Sequence, residues 1–219
     1  MSRLYGPQHR EFQDHFDSRR MADRIEQIAA QTEIDDTAKA FIESRDMFFL
    51  ATVDHNGRPT VSYKGGNPGF VKVLDAGTIA FPSYDGNGMY LSMGNLKSHP
   101  EIGILFIAFD RPFRLRLQGR AEIVMDGPDM NLFKEAELVV RVAVSDIWMN
   151  CPRYVHRYEK VETSRYVPRE EAETPLCEWK RIEGLEDVLR PNELAAVEEA
   201  GQITQDEWME HVFSGDGKA

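Results

Sequence analysis

Cysteine is scarce in this sequence: Cys151 and Cys177 are the only two among 219 residues. A chain of this length buries a sizeable core without covalent staples, so a disulfide scaffold is excluded and both residues read as thiols. Long apolar runs are missing too. No segment approaches the ~20 residues that a bilayer-spanning helix requires. The opening MSRLYGPQHREFQDHF shows no apolar stretch followed by small residues. The expectation is a cytoplasmic protein without membrane contact. Positive charge is in deficit, with 26 Lys and Arg against 37 Asp and Glu and a net charge of −11. Such a field repels phosphate backbones and anionic lipid, so nucleic acid is not an expected partner. Nucleotide-fold signatures are also lacking, because Gly86-Asn87-Gly88 has neither the third glycine nor the strand-helix context of a dinucleotide loop. None of the 6 histidines has a partner at helical ligand spacing, and no metal site is expected. No GxSxG elbow occurs.

What is present is ordinary globular composition, 42% hydrophobic and 29% charged, with a pattern that changes along the chain. Residues 1–45 carry Phe12, Phe16, Met21, Ile25, Ile28, Phe41 and Ile42 at spacings that suit amphipathic helices, which predicts a helical lead-in. From Met47 the period shortens. MFFLATV and TVSYK flank DHNGRP, where Asn56-Gly57 signals a hairpin, and FVKVL and TIAFP flank Asp75-Ala76-Gly77. A helix over Met89–Ser98, capped by Asn87 and stopped before Pro100, then interrupts the strands. IGILFIAF, FRLRLQGRAEIV and LVVRVAVSDIWM read as further strands, the second alternating Leu115, Leu117, Gly119 and Ala121 against Arg114, Arg116, Gln118 and Arg120. Short helices are expected over Pro128–Ala136 and Arg153–Tyr158, and a helical tail over 178–213. The fold class is mainly β with flanking helices (α+β), an antiparallel closed or split β-barrel. The expected divisions are a lead-in at 1–45, a barrel at 46–165 and a helical extension at 166–219, packed on the barrel or on a second subunit.

Chemistry-bearing groups gather on strand faces. In TVSYK, Thr60, Ser62 and Lys64 share one face and Val61 and Tyr63 the other, so hydroxyls and an ammonium point together as a phosphate requires. A solvated outer face explains the same pattern. The arginines at 114, 116 and 120 repel one another unless carboxylates or a bound anion compensate. FPSYDGNGM precedes a helix whose first N–H groups could meet an anion. Cys151 beside Pro152 reads either as a redox-capable thiol or as a small buried cysteine at a turn.

The run from FFLATVDHNGRPTVSYKGGNPGF to IGILFIAF, with RPFRLRLQGRAEIV and NCPRYV after it, resembles the pyridoxamine 5′-phosphate oxidase-like flavoproteins. Within them it is similar to a subgroup carrying SYKGG, GNGM and NCPRY. The resemblance spans about residues 40 to 165 and implies a split β-barrel homodimer with FMN at the subunit interface. It places Ser62, Tyr63 and Lys64 on the strand that lines the flavin, and Phe81, Pro82, Ser83, Asp85, Asn87, Gly88 and Met89 at its ring and phosphate. The oxidases of the family have an Arg-Lys pair where this chain has Gly88-Met89. Phosphate binding then shifts to Lys64, Arg116 or Arg153, and no match to those oxidases' C-terminal substrate motif is found in 166–219. Asn87 and Asn95 are candidates for the ribityl chain, and Phe81, Tyr84, Met89 and Trp148 for the ring face.

The resemblance implies an FMN-dependent oxidoreductase acting on a small molecule. Tyr63, Tyr84, Asp85 and Cys151 are candidate proton or electron partners by location, and no catalytic residue is assigned. The alternatives are a non-catalytic flavin carrier or sensor, or a split barrel binding deazaflavin or haem, the last with His156 or His211 as axial ligand.

Overall fold

A computed structural model, which describes residues 2–215 and 217, divides the chain into two units, Met1–Glu159 and Lys160–Ala219. The first opens with helices α1 (Pro7–His15) and α2 (Arg19–Ala29), the short β1 (Ala30–Gln31) and α3 (Asp36–Glu43). Proline begins α1, where its missing N–H costs nothing, and the Asp35 carboxylate caps α3 by accepting the Ala38 N–H at 2.7 Å. There follow β2 (Met47–Val53), β3 (Pro59–Gly65), β4 (Lys72–Asp75), β5 (Thr78–Ser83), α4 (Leu91–Ser98), β6 (Glu101–Ala108), β7 (Phe113–Val124) and β8 (Leu138–Asn150). Every ladder is antiparallel, in the order β3-β2-β6-β7-β8-β5-β4, with β1 beside β8.

Inward residues alternate with outward ones, and the inward set packs as one core around Phe48, which is fully buried. Its ring meets Phe81 edge-on at 5.0 Å and Phe106 at 5.4 Å. β2 and β5 stand four strand spacings apart in the sheet order, ~19 Å if the sheet were flat. Contact between their side chains therefore means that the sheet curls back on itself, and the architecture is a split β-barrel. The β7–β8 ladder shifts register between Gln118 and Gly119, an irregularity of the kind that bends a strand. A Cβ on buried Gly119 would stand 2.4 Å from the Ala143 carbonyl oxygen, so only glycine permits this approach.

Three helices expected from sequence are shorter or absent. α4 starts at Leu91 and not Met89, because the Asn87 side chain accepts the Met89 N–H (3.2 Å) in a turn ahead of the helix, and Tyr90 enters at φ 47°. Asn87 is thus not the cap. Between 128 and 136 only a 3₁₀ turn forms (Pro128–Leu132), and Glu135 at φ 60° breaks any continuation. No helix covers Arg153–Tyr158: Tyr154 lies at φ 69°, and the Tyr158 N–H bonds to the Phe109 carbonyl (2.9 Å).

The second unit holds 3₁₀ turns at Glu178–Arg181 and Glu186–Val188, then α5 (Pro191–Ala200) and α6 (Gln205–Ser214). Its interior is ionic. Buried Lys180 donates to Glu193 at 2.6 Å, and Glu178 meets His211 Nδ1 at 2.8 Å and Arg181 at 3.4 Å.

Gly119→Ala is expected to cost about 1–3 kcal/mol through overpacking at the bend. Urea unfolding of the variant measures this, and an unchanged midpoint would mean that the bend relaxes freely.

Candidate functional site

β3 lies at the end of the strand order, and its amphipathicity is inverted. Its polar residues Thr60, Ser62 and Lys64 are register partners of Thr52, Leu50 and Phe48 and so face the core side, while Val61 and Tyr63 face out, 70% and 63% exposed. Two of the three inward groups tie down α4. The Asn95 amide of α4 donates to Thr52 Oγ1 (3.0 Å) and Thr60 Oγ1 (3.1 Å), and those hydroxyls share a 2.8 Å bond. Ser62 Oγ meets Ser92 Oγ at 3.1 Å. Lys64, next along the strand, has no hydrogen bond or ion pair among the described residues. It is half-buried, and desolvation pushes its pKa down.

Ser62 and Lys64 open into a cavity of about 280 Å³. Its other walls are Ser83 at the end of β5, Tyr84, the turn 86–90 and the first turn of α4. β3 and β5 are five spacings apart in the sheet, so barrel closure is what brings Ser83 to Ser62. The α4 N-terminus has no capping side chain, and its first intrahelical bond is from Gly94 to Tyr90 O, which leaves the N–H groups of Leu91, Ser92 and Met93 for a ligand. The turn feeding it is held in an uncommon shape, with Gly88 at φ 73° and Tyr90 in the left-handed region, where its hydroxyl donates to Glu137 at 2.5 Å. The Tyr84 phenol is pushed up to about 12 by burial and, second, by Glu135, so it remains an O–H donor at neutral pH. One ammonium, several hydroxyls and a helix N-terminus converging on one space form an anion site suited to a phosphate.

Of the residues expected here, the structure brings together Ser62, Lys64, Ser83, Asn87, Gly88 and Met89. Tyr63 points out and packs on Phe49; Phe81 shares the face of Ser83 but is taken up by the core against Phe48, and Pro82, on the other face of β5, is buried. Asp85 is exposed beside the turn. Arg116 lies on β7 opposite Trp148, three strand spacings from β3, ~14 Å. Both are outward, so neither reaches this cavity within one chain. Arg153 follows β8 in a turn, its guanidinium 6.0 Å from the Tyr154 ring centroid. Asn95 is spent on the threonines and acts as a positioning residue. Cys151 is exposed, which corrects the buried reading, and it begins no helix. His211 uses Nδ1 on Glu178. Ser92, Leu91 and Met93 were not anticipated, because the helix start was placed two residues too early.

The unfolded chain holds the Lys64 proton more firmly than the folded one does. The half-buried ammonium therefore costs stability at neutral pH, and the penalty fades only as pH rises toward the ordinary lysine range. Lys64→Met is expected to raise the melting temperature of ligand-free protein at pH 7 while removing the stabilisation that inorganic phosphate gives the wild type. A scan with and without phosphate measures both, and equal phosphate stabilisation of the two proteins would place the anion elsewhere.

No curated protein matches the chain. Among solved structures, HupZ of Group A Streptococcus is 19% identical, covering 57% of this chain and 99% of its own, with a TM-score of 0.44. An FMN-binding protein from Syntrophomonas wolfei is 11% identical over 64% of this chain and 97% of its own (TM-score 0.42). The haem-storage protein HutZ from Vibrio cholerae is 20% identical over 52% and 93% (TM-score 0.37). The family model for pyridoxamine 5′-phosphate oxidase matches residues 34–157, more than half of the sequence, and the chain belongs to that family.

Proposed function

We propose that the chain is an FMN-dependent oxidoreductase, with the flavin phosphate in the Lys64 cavity and the ring at the cavity mouth. The observation that carries this reading is the inverted strand β3. The Thr60 and Ser62 hydroxyls have partners in the wall, whereas the half-buried Lys64 ammonium has none among the described residues and costs stability until an anion meets it, and Val61 and Tyr63 turned outward call for a covering surface. Family membership supports the flavin. The cavity, about 280 Å³, suits a phosphate and its polyol chain, and the rest of the cofactor extends beyond it. Lys64 would meet the phosphate with Ser62, Ser83, Ser92 and the α4 N–H groups, and Asn87 and Met89 would border the chain or ring. Bound there, the flavin supplies hydride or electron transfer to a small substrate. Arg116 and Arg153 stand outside this phosphate site.

The outward face of β3, β2 and β6, with Val61, Tyr63, Phe49, Leu105 and Ile107, is read as the homodimer interface beside the flavin.

Purified protein is expected to show a flavin absorbance spectrum, with FMN identified by mass after heat release. Lys64→Ala should weaken FMN by about ten- to a hundredfold, the worth of a charge-assisted phosphate contact. Retention of FMN at wild-type affinity would remove Lys64 from the site. Reoxidation of the reduced flavin by small-molecule acceptors, followed at its absorbance maximum, separates an enzyme from a carrier. In sedimentation, Val61→Glu with Tyr63→Glu should yield monomers, and a persistent dimer would put the interface on another face.

A further inference from the structure

A second, larger cavity of about 490 Å³ lies on the other side of the barrel wall and shares no residue with the Lys64 cavity. Its floor is the outer face of β7 and β8, where Arg116 and Trp148 are direct cross-strand partners. Its roof is the N-terminal segment, with Leu4 and Tyr5, together with His9 of α1 and Ile25 of α2.

The roof is fastened at both ends. Glu26 Oε1 of α2 accepts from Ser2 Oγ (2.9 Å) and from the N–H groups of Arg3 (2.7 Å) and Leu4 (3.1 Å). The Arg3 guanidinium donates to the Ser145 carbonyl of β8 (2.8 Å) and pairs with Asp146 (2.9 Å). These anchors use up Arg3 and occupy Oε1 of Glu26. His9 accepts the Gly6 N–H on Nδ1 (3.0 Å), so in its neutral form Nε2 carries the hydrogen and can only donate. Arg116 is different: among the described residues its guanidinium has no hydrogen bond or ion pair. The cavity therefore offers one uncommitted planar cation beside an indole, with an apolar wall from Leu4 and Ile25, at a size in the ~300–1,000 Å³ range of small-molecule sites.

We propose that this cavity binds a planar aromatic carboxylate, its ring against Trp148 and its carboxylate on Arg116. A guanidinium offers two parallel N–H groups to a carboxylate, and Arg116 is the cation of this lining without an ion pair among the described residues, while Glu26 is turned to the N-terminal segment. A phosphate dianion would bring a second negative charge with no second unpaired cation among these walls, and no serine hydroxyl lines them. The proposal does not rest on the flavin reading, because the two cavities are lined by different residues and the ligand is sensed without flavin.

Calorimetric titration of the 219-residue chain with 2-naphthoate tests it, with 2-naphthalenemethanol as the uncharged counterpart. Naphthoate is expected to bind, to quench tryptophan fluorescence, and to slow maleimide labelling of exposed Cys151, which borders the cavity, in a Cys177→Ser background. Arg116→Gln should weaken naphthoate by about tenfold or more and leave the weaker alcohol unaffected. Arg120→Gln removes the same charge from the same strand, where Arg120 pairs with Glu101 on the surface, and should change nothing. Inorganic phosphate should not compete. The proposal is overturned if naphthoate fails to bind, if it is lost equally in both arginine variants, or if phosphate displaces it.

Discussion

The first unit depends on the long ladder between β7 and β8. β8 pairs along its first half with both β7 and β5, and along its second half with β7 and β1, so it joins the two parts of the sheet on either side of it, and through β1 the lead-in. At Gly119 this ladder shifts register, and the Ala143 carbonyl occupies the space of a side chain, the kind of bulge that bends a strand. Without the bend, β3 and β5 would lie ~24 Å apart in an open sheet. With it, Ser83 stands across one cavity from Ser62 and Lys64. Buried Gly119, which does not line the Lys64 cavity, thus sits at the register shift of the ladder on which that cavity depends.

Closure alone would leave α4 free to slide on the barrel wall. The Asn95 amide prevents this by holding two threonine hydroxyls on neighbouring strands, inside the wall where water does not compete. Once that contact and the Ser62–Ser92 pair are made, the helix N-terminus is fixed beside Lys64. The same strand face therefore serves two purposes in sequence, with Thr60 and Ser62 locating the helix and Lys64 left for the ligand. In a chain carrying 37 acidic residues, an ammonium kept from all of them reflects placement in the wall and not a shortage of partners.

Much of this was legible in the sequence as period and little of it as parity. Alternation in TVSYK and FRLRLQGRAEIV marks the strands and groups Ser62 with Lys64, and the Asn56-Gly57 signal marks the hairpin that joins β2 to β3. Alternation does not say which face meets the core. The usual preference would turn Val61 and Tyr63 inward, and the structure turns them outward. On β5 parity sets Pro82 apart from Phe81 and Ser83, and only depth separates the last two, Phe81 lying in the core against Phe48 and Ser83 at the strand end beside the cavity. The start of α4 was misplaced because Asn87 is a good capping residue, and nothing local revealed that its side chain bonds within the preceding turn. Residues 153–158 show a further limit: their helical propensity is overridden by the Tyr158 N–H reaching the Phe109 carbonyl.

Parity also separates two cations that look alike in sequence. Lys64 and Arg116 each sit on a strand among alternating apolar residues, yet one faces in and the other out. Inside, a compact ammonium stands among hydroxyls and a helix terminus, an arrangement that suits a tetrahedral anion approached from several directions. Outside, a planar guanidinium beside Trp148 and under a fastened N-terminal segment offers one flat, two-toothed contact and an aromatic surface. The ion's shape and its depth below solvent, more than its charge, set the ligand each can take. A barrel wall one strand thick is enough to keep the two chemistries apart.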